Sequence, residues 1–137
     1  MTRKLILSSL CLAATLAAFP AVTQAKGADL AAWLKAQDPD NDGTLDMAEI
    51  KKAAEAKFDR LEKDKDGTLD RKEVHGLGIS KADFAKADPD KDGTLDKAEY
   101  LTIVEARFKA ANPDNDGTVD LKELQSPAGR ALLKLIR

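Results

Sequence analysis

The sequence has one cysteine, one histidine, one tryptophan and one tyrosine in 137 residues, and each scarcity narrows what the chain can do. Cys11 lies in an apolar N-terminal stretch, so the remainder has no disulfide, no thiolate metal site and no cysteine nucleophile. His75, the only histidine, is expected at a helix-end surface position rather than as a ligand. Trp33 and Tyr100 fall on apolar faces and are expected in the core. No nucleophile is paired with a base, and there is no glycine-rich phosphate loop and no redox motif. No enzyme is expected. The formal charge of −2 comes without a basic stripe, which argues against nucleic acid as a partner.

Long hydrophobic runs are also missing, with one exception at the N-terminus. Thr2-Arg3-Lys4 supplies a positive start, Leu5 to Phe19 is almost unbroken apolar sequence, and Thr23-Gln24-Ala25 places small residues beside a cleavage point. This is the layout of a secretory signal over residues 1–25, cut after Ala25, and it predicts export to the periplasm. The run falls short of the ~20 residues of a membrane span, so no span is expected in the mature form. Leu10 before Cys11 argues against a lipoprotein signal. Loss of Arg3 and Lys4 leaves 20 basic against 24 acidic residues. A small exported domain without disulfides needs another staple, and a bound metal is the usual substitute.

What is abundant is repetition. A twelve-residue phrase runs from Asp38 to Glu49 and recurs at Glu62 to Glu73, Asp88 to Glu99 and Asn112 to Glu123, with starts 24, 26 and 24 residues apart. A coarser repeat of 50 residues lies over it, because Glu55-Ala56-Lys57-Phe58 matches Glu105-Ala106-Arg107-Phe108. Residues 26–137 therefore read as one metal-binding domain of two tandem halves, about 26–75 and 76–125, plus a C-terminal helix. Between phrases the periodicity is helical. Ile50, Ala54, Phe58 and Leu61 share one face, as do Tyr100, Val104, Phe108 and Ala111. Short helices are expected before each half, at Leu30–Gln37 and Ser80–Ala87, with Ser80 as N-cap. Ser126-Pro127 should start a last helix that buries Ala131, Leu132, Leu135 and Ile136. No strand longer than a residue or two per loop is expected.

Each phrase has acids at alternate positions, a central glycine and a glutamate at the twelfth place. A hard cation gathers six to eight oxygens around one point, so a tight loop must turn alternate side chains inward. The expected ligands are Asp38, Asp40, Asp42, Thr44, Asp46 and Glu49 in loop one, and Glu62, Asp64, Asp66, Thr68, Asp70 and Glu73 in loop two. Loop three offers Asp88, Asp90, Asp92, Thr94, Asp96 and Glu99; loop four offers Asn112, Asp114, Asp116, Thr118, Asp120 and Glu123. The threonines contribute backbone carbonyls, and the glutamates sit on exit helices and close the cage with both oxygens. A solvated charged surface would scatter its acids. Here only Asp29, Glu55, Asp59, Asp83 and Glu105 lie outside the ligand positions. Lys51, Lys52, Lys57, Lys86 and Lys109 read as solvated helix faces.

Leu45, Leu69, Leu95 and Val119 at the eighth position should bridge paired loops. A helix of about 15 residues separates loops one and two by roughly 20 Å, and likewise loops three and four. The Gly76-Leu77-Gly78 break lets the chain fold back. The expected architecture is therefore all-α: a compact small helical bundle with four EF-hand loops, two and three paired at one end, one and four at the other.

Five acids in each of loops one, two and three overcompensate a divalent ion and suit a trivalent one better, since attraction scales with cation charge while carboxylate repulsion is fixed. Pro39, Pro89 and Pro113 at loop position two fix φ and remove a backbone donor, stiffening the loop entrance. With Asp-Pro-Asp-x-Asp-Gly-Thr-Leu-Asp, the 12-residue spacer, the Glu105–Thr118 segment and the Ser126–Gly129 tail ending Leu135-Ile136-Arg137, the chain resembles the lanmodulins, periplasmic lanthanide-binding EF-hand proteins of methylotrophic bacteria. The resemblance covers nearly all of residues 26–137. It implies selective binding of lanthanide(III) ions (La, Ce, Pr, Nd), with Ca²⁺ weaker, coupled to folding. It further implies a monomer that supplies metal for lanthanide-dependent methanol oxidation, with periplasmic trafficking proteins or methanol dehydrogenase as partners.

Loop two departs from the pattern. Glu62-Lys63 replaces Asp-Pro, so the extra methylene should push the carboxylate too far inward, and weaker binding is expected. Neutral Asn112 should also weaken loop four, leaving one and three as the strong sites. Two rival readings use the same residues. One is a periplasmic calcium buffer or calcium-responsive interaction module, which would fold with Ca²⁺ as readily as with La³⁺. The other is a dockerin-like docking module, which would lack the entering helices at 30–37 and 80–87.

Overall fold

The computed structural model describes residues 22–137, with side chains from Gly27 onward. The leader expected over 1–25 lies outside the described residues except for its last few, which begin α1 (Val22–Gln37). The chain then runs through β1 (Thr44–Asp46), α2 (Met47–Leu61), β2 (Thr68–Leu69), α3 (Lys81–Ala87), β3 (Leu95–Asp96) and α4 (Lys97–Ala111). It ends with β4 (Thr118–Asp120), α5 (Leu121–Gln125) and α6 (Pro127–Ile136). The fold is mostly helical, with two small sheets. An all-α description omits those sheets, and β1 and β4 reach three residues each, longer than expected.

Local chemistry explains where the helices start. Asp46, Asp96 and Asp120 are N-caps whose carboxylates accept from the N–H of Glu49, Glu99 and Glu123. Each glutamate accepts from the cap's own N–H, completing a capping box. Ser80 and Ser126 cap α3 and α6, as their positions before the apolar runs suggest, with Pro127 in the first turn of α6. The second loop has no exit α-helix. Residues 71–78 form turns in which Val74 bonds back to Asp70 but His75 to Lys72 and Leu77 to Val74. Glu73 therefore sits on a tight turn rather than the expected helix. Gly76 (φ +91°) and Gly78 (φ +69°) adopt left-handed conformations a few residues later, which leaves too little chain to propagate a helix.

That same break folds the chain back. The strands pair antiparallel, β1 with β4 (Leu45 opposite Val119) and β2 with β3 (Leu69 opposite Leu95), the loop pairing that helix length requires. All four eighth-position residues are fully buried. The core between the two sheets gathers Ile50, Ala54 and Phe58 from α2 with Tyr100, Val104 and Phe108 from α4. Leu61 and Ala131 are only half-buried. Phe58 and Tyr100 meet edge to face with centroids 5.7 Å apart, worth about 1 kcal/mol beyond their burial. α6 lies against α2, α4 and α5, placing Leu132, Leu135 and Ile136 in the core. The Tyr100 hydroxyl donates to Leu135 O at 2.7 Å, and burial pushes its pKa well above the ordinary value. Trp33, expected in the core, is half-buried at its margin, with the Arg137 guanidinium over its ring.

Arg107 is the cross-tie. Its guanidinium donates to Leu77 O, Gly78 O and Ala131 O, fastening the inter-half turn and α6 to α4. Lys51 pairs with Glu105 at 2.6 Å, and Lys97 pairs with Asp59 at 2.9 Å; these half-exposed contacts add little stability. No helix among the described residues is long and apolar enough to cross a membrane.

Candidate metal centres

The four loops share one backbone form. The fourth residue is left-handed in every loop: Asn41 (φ +59°), Lys65 (+61°), Lys91 (+60°) and Asn115 (+57°). The sixth is a glycine at φ between +86° and +95°. A lysine at positive φ is strained, so Lys65 and Lys91 show that the turn is imposed by the rest of the loop. The central glycine therefore supplies only part of the bend. Asn at two of the four positions was the available signal.

Inside the loops the carboxylates divide into two roles. Those at position five, Asp42, Asp66, Asp92 and Asp116, each accept from the N–H and hydroxyl of the threonine two residues on. The bonds from Thr94 hold the Asp92 carboxyl below its ordinary value. Position nine (Asp46, Asp70, Asp96, Asp120) spends one oxygen on the N–H of the twelfth residue. These acids build the loop.

The remaining acids converge. Oxygens of Asp38, Asp40 and Glu49 lie within 4.8 Å of one another, as do those of Asp88, Asp90 and Glu99. Loop two gathers Glu62, Asp64 and Asp66 instead, without Glu73. No carboxylate cluster forms among Asp114, Asp116, Asp120 and Glu123 of loop four. The twelfth residue does not present two free oxygens anywhere, because Oε2 of Glu49, Glu73, Glu99 and Glu123 accepts from the backbone N–H of position nine. Closure with both oxygens requires that Oε2 be shared or released.

Position one is the most informative. Asp38, Asp88 and Asn112 are 4%, 5% and 4% exposed, and they are the buried polar residues among those described. In each, Oδ1 has no hydrogen-bond partner, whereas Oδ2 of Asp38 and Asp88 accepts from the N–H of Gly43 and Gly93. A buried oxygen without a partner costs roughly 1–3 kcal/mol, more when charged, and native structures rarely tolerate it without a reason. A cation at the centre of each loop supplies one. Glu62 accepts from Gly67 N–H at 2.8 Å but is only half-buried. Glu62 is thus less buried than Asp38 or Asp88, contrary to the deeper placement expected of the longer side chain.

Crowding shows in the ionisation of the clusters. Burial raises the pKa of Glu49, assisted by the charges of Asp46, Asp40 and Asp38. Glu99 is raised in the same way, by burial and by Asp96, Asp90 and Asp88. Asp40 is raised chiefly by the Asp38 carboxyl beside it. Burial opposes ionisation of Asp38, but the hydrogen bond from Gly43 N–H, with the adjoining Asp40 carboxyl and the nearby loop amides, outweighs it and holds the carboxyl low. A cation would relieve all of these repulsions together.

Comparison with known proteins agrees with this geometry over part of the chain. No curated protein matches the sequence. Residues 82–104, from α3 through loop three into α4, match the EF hand family model. The match and the acidic clusters support an EF-hand type of metal-binding protein, a class that is usually non-enzymatic.

Proposed function

We propose that this protein binds trivalent lanthanide ions selectively in its EF-hand loops, folds more tightly on binding, and serves metal handling in the periplasm for lanthanide-dependent methanol oxidation. The buried, partnerless Oδ1 of Asp38, Asp88 and Asn112 carries the metal-binding part of this reading. Three loops are built around a buried oxygen that a cation at the loop centre would satisfy. Loops one and three are the strong sites, with Asp38, Asp40 and Glu49, and Asp88, Asp90 and Glu99, as the primary ligands. The position-five and position-nine acids and the threonine carbonyls complete the shell. Loop two binds more weakly, and loop four has a neutral first ligand.

The preference for a trivalent ion rests on charge. Each carboxylate attracts a trivalent ion half as strongly again as a divalent one, while the repulsion overcome is the same. Localisation and metabolic role rest on the leader pattern and the resemblance to the lanmodulins. The EF hand match at 82–104 is the observation that favours calcium binding instead. Calorimetric titration of the chelator-stripped protein with La³⁺, with and without millimolar Ca²⁺, separates the two. Tight La³⁺ binding unaffected by Ca²⁺ supports the proposal. Equal affinity for both ions refutes selectivity.

A further inference from the structure

One of the backbone hydrogen bonds that set loop two apart lies at position two. In loop two the N–H of Lys63 donates to Glu73 Oε1 at 2.9 Å while Oε2 accepts from Asp70 N–H. Both oxygens of that glutamate are therefore held by the backbone. In the other loops position two is Pro39, Pro89 or Pro113, which has no N–H to give. Among the described residues Oε1 of Glu49, Glu99 and Glu123 accepts no hydrogen bond from the protein. In loops one to three the acid clusters follow the same division, since Glu49 and Glu99 join their loop's first two aspartates and Glu73 joins neither Glu62 nor Asp64.

We infer that the proline at position two is a positioning residue that keeps the closing glutamate available to the cation, and that Lys63 N–H latches Glu73 away from it. The inference rests on the metal-binding reading above and assigns loop two's weakness to this latch as well as to Glu62. A cation entering loop two must pull Glu73 Oε1 away from Lys63 or share it. A cation entering loop one or three meets a free oxygen already in the cluster. Stiffening alone would not produce this pattern, because it does not say which oxygen is occupied. A charge-assisted hydrogen bond of this kind is worth roughly tenfold in affinity.

The test uses the full chain, La³⁺ as probe, and the amide signals of Gly43, Gly67, Gly93 and Gly117 to read each loop separately by NMR. Lys63→Pro should tighten loop two by about tenfold, and Glu62, at φ −67° and ψ 105°, has a backbone compatible with a following proline. Lys63→Ala, which keeps the N–H, should leave loop two unchanged. Pro89→Ala should weaken loop three by about tenfold, and its new amide should exchange slowly in metal-free protein. Equal affinity of Lys63→Pro and Lys63→Ala, or a freely exchanging amide at residue 89, overturns the inference. Should Lys63→Pro not fold, the Pro89→Ala exchange rate decides alone. Failure of the metal-binding reading is read separately: wild-type Gly43 and Gly93 signals would not move with La³⁺, and this inference would fall with it.

Discussion

Asp88→Asn should move stability in opposite directions with and without metal. Asn112 shows that an amide is accommodated at the same place in loop four, so the substitution changes charge with little change of shape. In the metal-free protein it removes one of three negative groups whose oxygens lie within 4.8 Å. At that separation each repulsive pair costs about 1 kcal/mol in a water-like dielectric and about 3.5 kcal/mol at an effective dielectric of 20. Asp90 is exposed and Glu99 half-buried, so the lower end applies, and relief should be about 1–2 kcal/mol. For a domain of this size that raises the melting temperature by roughly 3–8 °C. With La³⁺ the lost carboxylate faces a charge of three, and affinity at loop three should fall on the order of a hundredfold. Circular dichroism melts in chelator and in excess La³⁺ give the first quantity, and competitive titration gives the second. A variant that melts lower without metal, or binds La³⁺ as tightly as wild type, refutes the crowding argument.

Acidity should also act with opposite signs on the two forms. Glu49 and Glu99 are raised above their ordinary 4.5, so their contribution to metal-free stability is present below that value and lost as pH rises through the raised value. La³⁺ affinity should instead fall as pH drops through the same window, which calorimetry at several pH values from about 4 to 7 would reveal. Asp38 and Asp92, both lowered, act in the reverse sense below their ordinary 3.8, so the windows are separable. Gly129→Ala should destabilise the protein by about 2–4 kcal/mol in chemical denaturation, since a Cβ there would lie 2.1 Å from Glu123 O and 2.5 Å from Leu124 Cα. A loss below about 0.5 kcal/mol would show that α5 and α6 can separate. Arg107→Met keeps the aliphatic stem but strands three carbonyls, and should cost about 1–3 kcal/mol while speeding amide exchange at Ala131 and in α6. Unchanged exchange there would mean the cross-tie is idle.

Much of the architecture was legible because the repeat carries it. Four glycines in register fixed the loops, and the run from Ile50 to Leu61 fixed α2. The length of that helix dictated which strands pair. What escaped the sequence depends on contacts between distant residues or on competition for one atom. Residues 71–78 carry helical residues up to Gly76 but form turns, because a helix needs more chain than the glycines leave. The closing glutamates look free in sequence, yet each has an oxygen committed to the backbone N–H of position nine. The Arg107 cross-tie spans 24 to 30 residues and leaves no local signature. The isolation of one oxygen in Asp38, Asp88 and Asn112 is a property of burial that no spacing rule reports. Acids converge in three of the loops, and position five and position nine are builders of the loop before they are candidates for a ligand.

The central claim is that crowded, partly buried carboxylates await a highly charged ion. Its most direct test is the helicity of chelator-stripped protein titrated with La³⁺ in the presence of millimolar Ca²⁺. The account predicts a sharp gain in helicity at low La³⁺ that excess Ca²⁺ neither produces nor prevents. A protein already fully helical without metal and unresponsive to La³⁺, or one that Ca²⁺ folds at the same concentrations, would contradict it.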